Sequence, residues 1–190
     1  MLPTRVSARQ KSAAGNWQSR DSAVMLGVCL YLQTSWEPPG MSRDSRYLEA
    51  ILHHDIPLTR AMGLRVEHWE NHELRLKVPL QANINHKSSM FGGSLYCASV
   101  LAGWGWLHLR LREAGIEDGH IVIQEGQIDY PLPVVDDATA ICAAPADDAW
   151  NRFEAIYRRR GRSRLTLNSC ILAADGRDAV RFTGQFVLHK

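Results

Sequence analysis

The chain has 190 residues, 45% of them hydrophobic, which gives room for one domain with a sizeable core, or one domain and a loose tail. Its 22 Lys and Arg against 20 Asp and Glu leave a net charge of +2, so no global electrostatic case exists for binding nucleic acid or a membrane surface. Four cysteines (Cys29, Cys97, Cys142 and Cys170) stand far apart with no CxxC pair or Cys/His cluster, which excludes a zinc finger or a disulfide scaffold. Cysteines scattered through apolar runs fit the reduced core of a cytoplasmic protein.

Residues 1–45 differ from the rest. Polar, aperiodic sequence surrounds the apolar run Ala23 to Leu32, and EPPGMSRDS follows as a breaker cluster. The run resembles a signal-peptide core, but Asp21 abuts it and no small-x-small cleavage site follows. It also falls short of the ~20 residues that span a bilayer. The reading is therefore an irregular, disordered extension over 1–45, with Met41 an alternative start, and a folded domain over 46–190.

From Arg46 the pattern sharpens. YLEAILHHDIPLTRAMG has helical spacing at Leu48, Ile51 and Leu52, a break at Pro57 and a stop at Gly63, which predicts one or two short helices. Residues 64–69 and HELRLKVPL alternate and predict a strand pair turning near Glu70-Asn71. ANINHKSSMFGGS reads as a loop, and SLYCASVLAGWGWLHLRLREAG as a helix apolar nearly all round, hence centrally buried. HIVIQEGQIDY then predicts a strand, with Gly126 marking a bulge or a close backbone approach. ATAICAA, FEAIYRRR turning at Gly161 into LTLNSCILAA, and AVRFTGQFVLH beyond a DGR turn read as further strands. The fold class is α+β, a curved antiparallel sheet wrapped around one long buried helix.

Four pieces in this order, IPLTRAMG, the Asn-rich loop with FGGSL, LAGWGWLHLRLREAG and RFTGQF, resemble the hotdog-fold thioesterase-like domain that also occurs C-terminal to GNAT acetyltransferases. The resemblance spans about Leu48 to Leu188 and implies acyl-thioester hydrolysis or binding, on acyl-CoA or acyl-carrier protein. It also implies a homodimer or dimer of dimers through edge strands, and calls for no cofactor. Exposed edges of a single sheet favour such pairing independently.

Thioester hydrolysis needs a polarised carbonyl and an activated water. Phe91-Gly92-Gly93-Ser94 opens the central helix, where free N–H groups and the helix dipole would stabilise an oxyanion. The two glycines either let a carbonyl approach the backbone or merely make a tight turn. Matched to the resembling thioesterases, Asn85 takes their Asn position, as a group that orients water or substrate, and Phe91 stands where they carry His. Val100 replaces their helix-borne carboxylate, which leaves the base open and admits a non-catalytic acyl-thioester binder as the alternative. A dehydratase is weaker, because its chemistry relies on that His.

Glu125 shares strand parity with Ile121 and Ile123, which would aim it inward as a base; otherwise it is a solvated strand residue. Asp129 and His86 are further candidates. In the run Arg158 to Arg164, read as a β-hairpin, Arg158 and Arg160 would meet carrier phosphates or simply blunt an edge strand. His53, His54, His108 and His120 show no metal-ligand spacing, so no metal is expected.

Overall fold

The computed structural model describes residues 41–190, and the tail expectation falls outside them except for its last residues. Helix α1 (Arg43–Asp55) opens within those, its N-cap Ser42 accepting a bond from Ser45 N–H at 3.0 Å. Its Leu48 and Leu52 are buried, and the buried Thr59 closes its far end by donating to Leu52 O at 2.9 Å and Ile56 O at 2.8 Å. Pro57 breaks the helix as expected, and α2 (Leu58–Ala61) is a single turn.

Strands β1 (Arg65–Glu70) and β2 (Glu73–Val78) form the predicted hairpin. Its turn is Asn71-His72, both at positive φ (51° and 57°), which matches the twist of the flanking strands. The central helix pins this turn. Trp106 Nε1 donates to His72 O at 2.8 Å, and Arg110 bonds the His72 ring. After the short α3 (Leu80–Asn83) and a loop comes α4 (Gly92–Glu113), then β3 (His120–Asp129), β4 (Ala138–Cys142), α5 (Asp147–Arg160), β5 (Arg162–Leu172) and β6 (Asp178–His189).

The six strands form one antiparallel sheet in the order β1-β2-β4-β5-β6-β3, so β3 crosses to the far edge before the chain returns to the centre. Alternate residues line the inner face: Leu74 and Leu76 on β2, Ala140 on β4, Leu165 and Leu167 on β5, Phe182 and Phe186 on β6, all buried. α4 packs on them with Leu95, Ala98, Ala102, Trp106 and Leu109. Gly103 and Gly105 let it come close. A Cβ would lie 2.6 Å from the Phe186 ring at Gly103 and 2.9 Å from Leu74 at Gly105. No helix among the described residues is long and apolar enough to cross a membrane.

FEAIYRRR is not a strand. Trp150, Phe153 and Tyr157 recur at helical spacing and are all buried, with Trp150 edge-on to Trp106 at 6.0 Å. The arginine run therefore sits at a helix end and not on a β-hairpin. Arg158, Arg159 and Arg160 occupy the last turn of α5, where cations complement the helix dipole. Gly161 reverses the chain at φ 65°, its N–H bonded to Tyr157 O at 2.7 Å, and only then does β5 begin.

One group makes stability depend on pH. His108 on α4 stacks on Trp104 with centroids 4.9 Å apart and on Tyr47 at 5.8 Å, while its Nε2 is buried without a partner. Burial, reinforced by Arg112 and opposed by Asp55, lowers its pKa from 6.5 to about 4. The unfolded chain thus takes up a proton that the folded one refuses. Stability is full above pH 6.5 and falls as pH drops towards 4, by about 3 kcal/mol in all. Urea unfolding of wild type and His108→Gln at neutral and acid pH should show the smaller acid loss in the variant. Equal losses would contradict this assignment.

Candidate functional site

The site is built where the loop after α3 enters α4. Asn83, buried, anchors it by donating Nδ2–H bonds to Met62 O and Pro79 O, both at 2.8 Å, while its own carbonyl accepts from Phe91 N–H at 2.7 Å. Ile84 and Met90 bridge as an isolated antiparallel pair, and Met90 N–H donates to Val134 O at 2.7 Å. Asn85 lies inside that loop, and its amide is taken up there. Its Oδ1 accepts from Lys87 N–H at 2.7 Å, and its Nδ2 donates to Ser89 Oγ at 3.1 Å. The side chain builds the loop that carries Phe91. His86 is exposed at the loop tip, with Ser88 at φ 59° completing the reversal.

Phe91 is the N-cap of α4 and offers no side-chain cap. The N–H groups of Ser94 and Leu95 close the first turn on Phe91 O at 3.0 and 3.1 Å, whereas no described residue accepts from the N–H of Gly92 or Gly93. Two donors therefore remain at the positive end of a 22-residue helix. Aromatic rings flank them. Tyr130 lies 3.7 Å from where a Gly92 Cβ would stand, its hydroxyl donating to Gly92 O at 3.0 Å. The half-exposed Phe91 ring rests on Gly93, only 2.3 Å from a Cβ position there. Gly93 thus serves the Phe91 ring as well as any substrate. Exposed Ile84 and Val135 on neighbouring segments give the surroundings an apolar character.

Glu125 stands elsewhere. The register shift falls between Ile123 and Glu125, not at Gly126: Ile123 opposes Phe186 and Glu125 opposes Gln185. Directly opposed residues share a face, so the extra residue reverses the parity and turns Glu125 outward, away from α4. Glu125 is exposed, as is Asp129, which opposes Arg181 on the same outer face. Gly126 marks the close approach instead, since a Cβ would lie 2.7 Å from the Tyr96 hydroxyl. The arginines are not gathered with the glycines. Arg158 bonds Glu154 at 2.8 Å and caps α4 by donating to Ala114 O at 2.8 Å, and Arg160 is exposed. The first turn of α4 carries no acidic residue, and Val100 is half-buried.

No group of three His, Cys, Asp or Glu among the described residues could hold a metal ion. Cys97, Cys142 and Cys170 are free thiols. Burial raises the pKa of each, that of Cys142 to about 12, which makes them poor nucleophiles.

Residues 45–190 match the model of the family described as "Putative thioesterase (yiiD_Cterm)". The chain belongs to this thioesterase family. A protein of unknown function from Chlorobaculum tepidum is 33% identical, with a TM-score of 0.73 over 77% of this chain and 94% of that one. A protein from Shewanella oneidensis called a putative thioesterase is 26% identical, at a TM-score of 0.70 over 79% of this chain and all of the other. A probable thioesterase from Pseudomonas aeruginosa, at 20% identity and a TM-score of 0.67 over 79% of this chain and 98% of that one, shares the fold. The sheet around α4 is thus the hotdog fold that the sequence resembles. Within that family fold the paired glycines, the Asn85 loop and Tyr130 converge at one helix end. Tyr130 is the residue that sequence reading missed, because only the approach of the β3 end to α4 gives it a partner.

Proposed function

We propose that this chain hydrolyses acyl thioesters, of coenzyme A or of an acyl-carrier protein, with the N–H groups of Gly92 and Gly93 holding the carbonyl oxygen. The observation that carries this reading is the pair of unaccepted N–H groups at the start of α4 in a chain of a thioesterase family. Water adds to the carbonyl carbon, negative charge grows on the oxygen facing those donors, and collapse expels the thiolate, which takes up a proton. Asn85 acts by holding the loop in shape, Ser94 by closing the first turn, and Phe91 by walling the acyl group. Arg160 remains available to an anionic carrier, whereas Arg158 is already engaged.

The base comes from outside this chain's own site in this reading. β3 is an edge strand, exposed along nearly its whole length, and pairs only with β6 among the described strands. Antiparallel pairing of two copies along β3 would bring the His120 end of one to the Asp129 end of the other, completing both sites in a homodimer or a dimer of dimers. Sedimentation at micromolar concentration should give the dimer or larger, and a monomer would contradict the pairing. A cytoplasmic location belongs to this reading, supported by the three free thiols of the described residues.

Val100 and Phe91, standing where a carboxylate and a His would serve catalysis, favour a second reading, an acyl-thioester binder without turnover. A panel of acyl-CoAs of rising chain length, with a dye trapping the released thiol, separates the two. Hydrolysis well above the buffer rate on at least one chain length is expected. Binding without turnover across the panel would replace the enzyme by the binder.

A further inference from the structure

Tyr130 directly follows the edge strand and reaches the donor pair from the side. The geometry points to Tyr130 as a positioning residue, whose hydroxyl, by binding the Gly92 carbonyl oxygen, orients the Gly93 N–H and strengthens it as a donor to the thioester carbonyl. This rests on the reading of Gly92 and Gly93 as carbonyl donors.

The carbonyl of Gly92 and the N–H of Gly93 belong to one planar peptide unit and point in opposite directions within it. Holding one therefore aims the other. A Gly-Gly pair needs such a hold more than any other dipeptide, because neither residue restricts its own φ and ψ. The usual restraint at a helix start is a side-chain cap, and Phe91 gives none. Tyr130 supplies the missing contact at 3.0 Å, with its ring 3.7 Å from the Gly92 Cβ position. A carbonyl oxygen has two lone pairs, so Gly92 O can serve both the helix ladder and the phenol. A bond accepted at that oxygen also polarises the peptide, which makes its N–H a better donor. Burial, with Tyr96 and Cys97 nearby, raises the pKa of Tyr130, so the phenol keeps its proton throughout the neutral range.

Tyr130→Phe removes the hydroxyl and keeps the ring, and the exposure of this residue leaves the melting temperature little changed. In the full chain we expect kcat on the best acyl-CoA of the panel to fall by about tenfold with KM nearly constant, the pattern of a lost contribution to the transition state alone. The Gly93 amide resonance of the free, ¹⁵N-labelled protein should shift upfield in proton frequency, as its donor strength falls. If Gly93→Val abolishes turnover while Tyr130→Phe leaves kcat unchanged, the positioning role is overturned and the donor reading stands. If wild type hydrolyses nothing in the panel, the hydrolase reading fails on its own, and the Gly93 amide then decides. A shift supports the hold by Tyr130, and an unmoved resonance overturns it.

Discussion

Gly93→Val should reduce thioester turnover by about 10²-fold or more, the scale set by removing one donor from an oxyanion site, while the fold persists. The argument is local. Gly93 lies in the first turn of α4 with ordinary helical backbone, so a side chain meets no strain in φ. Its Cβ would stand 2.3 Å from Cε1 of Phe91, and that ring, exposed over 58% of its residue surface, can swing into water. The displaced ring and the new isopropyl group then crowd the space before the Gly93 N–H. Gly92→Ala is the control, because its Cβ meets Tyr130 only at 3.7 Å, an ordinary contact. Turnover and ligand binding should both be lost in the first variant and largely kept in the second. Full activity of Gly93→Val with a normal melting curve would mean that the glycine serves only the Phe91 ring.

The largest expected loss of stability is at Trp106. It is 1% exposed, sits edge-on to Trp69 at 6.5 Å and to Trp150 at 6.0 Å, and its Nε1–H satisfies His72 O at 2.8 Å. Trp106→Ala opens a cavity between α4, α5 and the β1–β2 hairpin and leaves a turn carbonyl without its donor. Together these should cost about 3–5 kcal/mol, enough to unfold a marginal domain near body temperature. Trp106→Phe keeps most of the volume and isolates the hydrogen bond, so its loss should be clearly smaller. Denaturant midpoints of the two variants measure the difference, and equal losses would show that packing around the indole contributes little.

The parts of the fold legible in the sequence are those that local pattern determines. α4 is apolar on every side because it is enclosed by the sheet and its neighbouring helices, and the glycines at its start mark its entry. The β1–β2 hairpin follows from the alternation of β2 and the turn at Asn71, although a register shift between Val66 and His68 interrupts the alternation of β1. α5 was hidden for a physical reason. Its buried positions, Trp150, Phe153 and Tyr157, straddle the boundary of the FEAIYRRR segment, so a window starting at Phe153 loses the first member of the helical stripe. The bulge before Glu125 carries no Gly or Pro signal of its own, and one unpaired residue suffices to send every later side chain to the other face. The site shows the same division. Gly92, Gly93 and Asn85 lie within a few residues of one another and could be read together, whereas Tyr130 is brought to Gly92 only by the crossing of β3 to the sheet edge.

The central claim is that a thioester carbonyl binds to the N–H groups of Gly92 and Gly93. Titrating the ¹⁵N-labelled chain with a non-hydrolysable acyl-CoA thioether ketone, which keeps the carbonyl and removes the scissile bond, observes those two groups directly. Binding should move the Gly92 and Gly93 amide resonances downfield together and with the same affinity as the acyl chain contacts. Saturation of the protein by the analogue with both resonances unmoved would contradict the account.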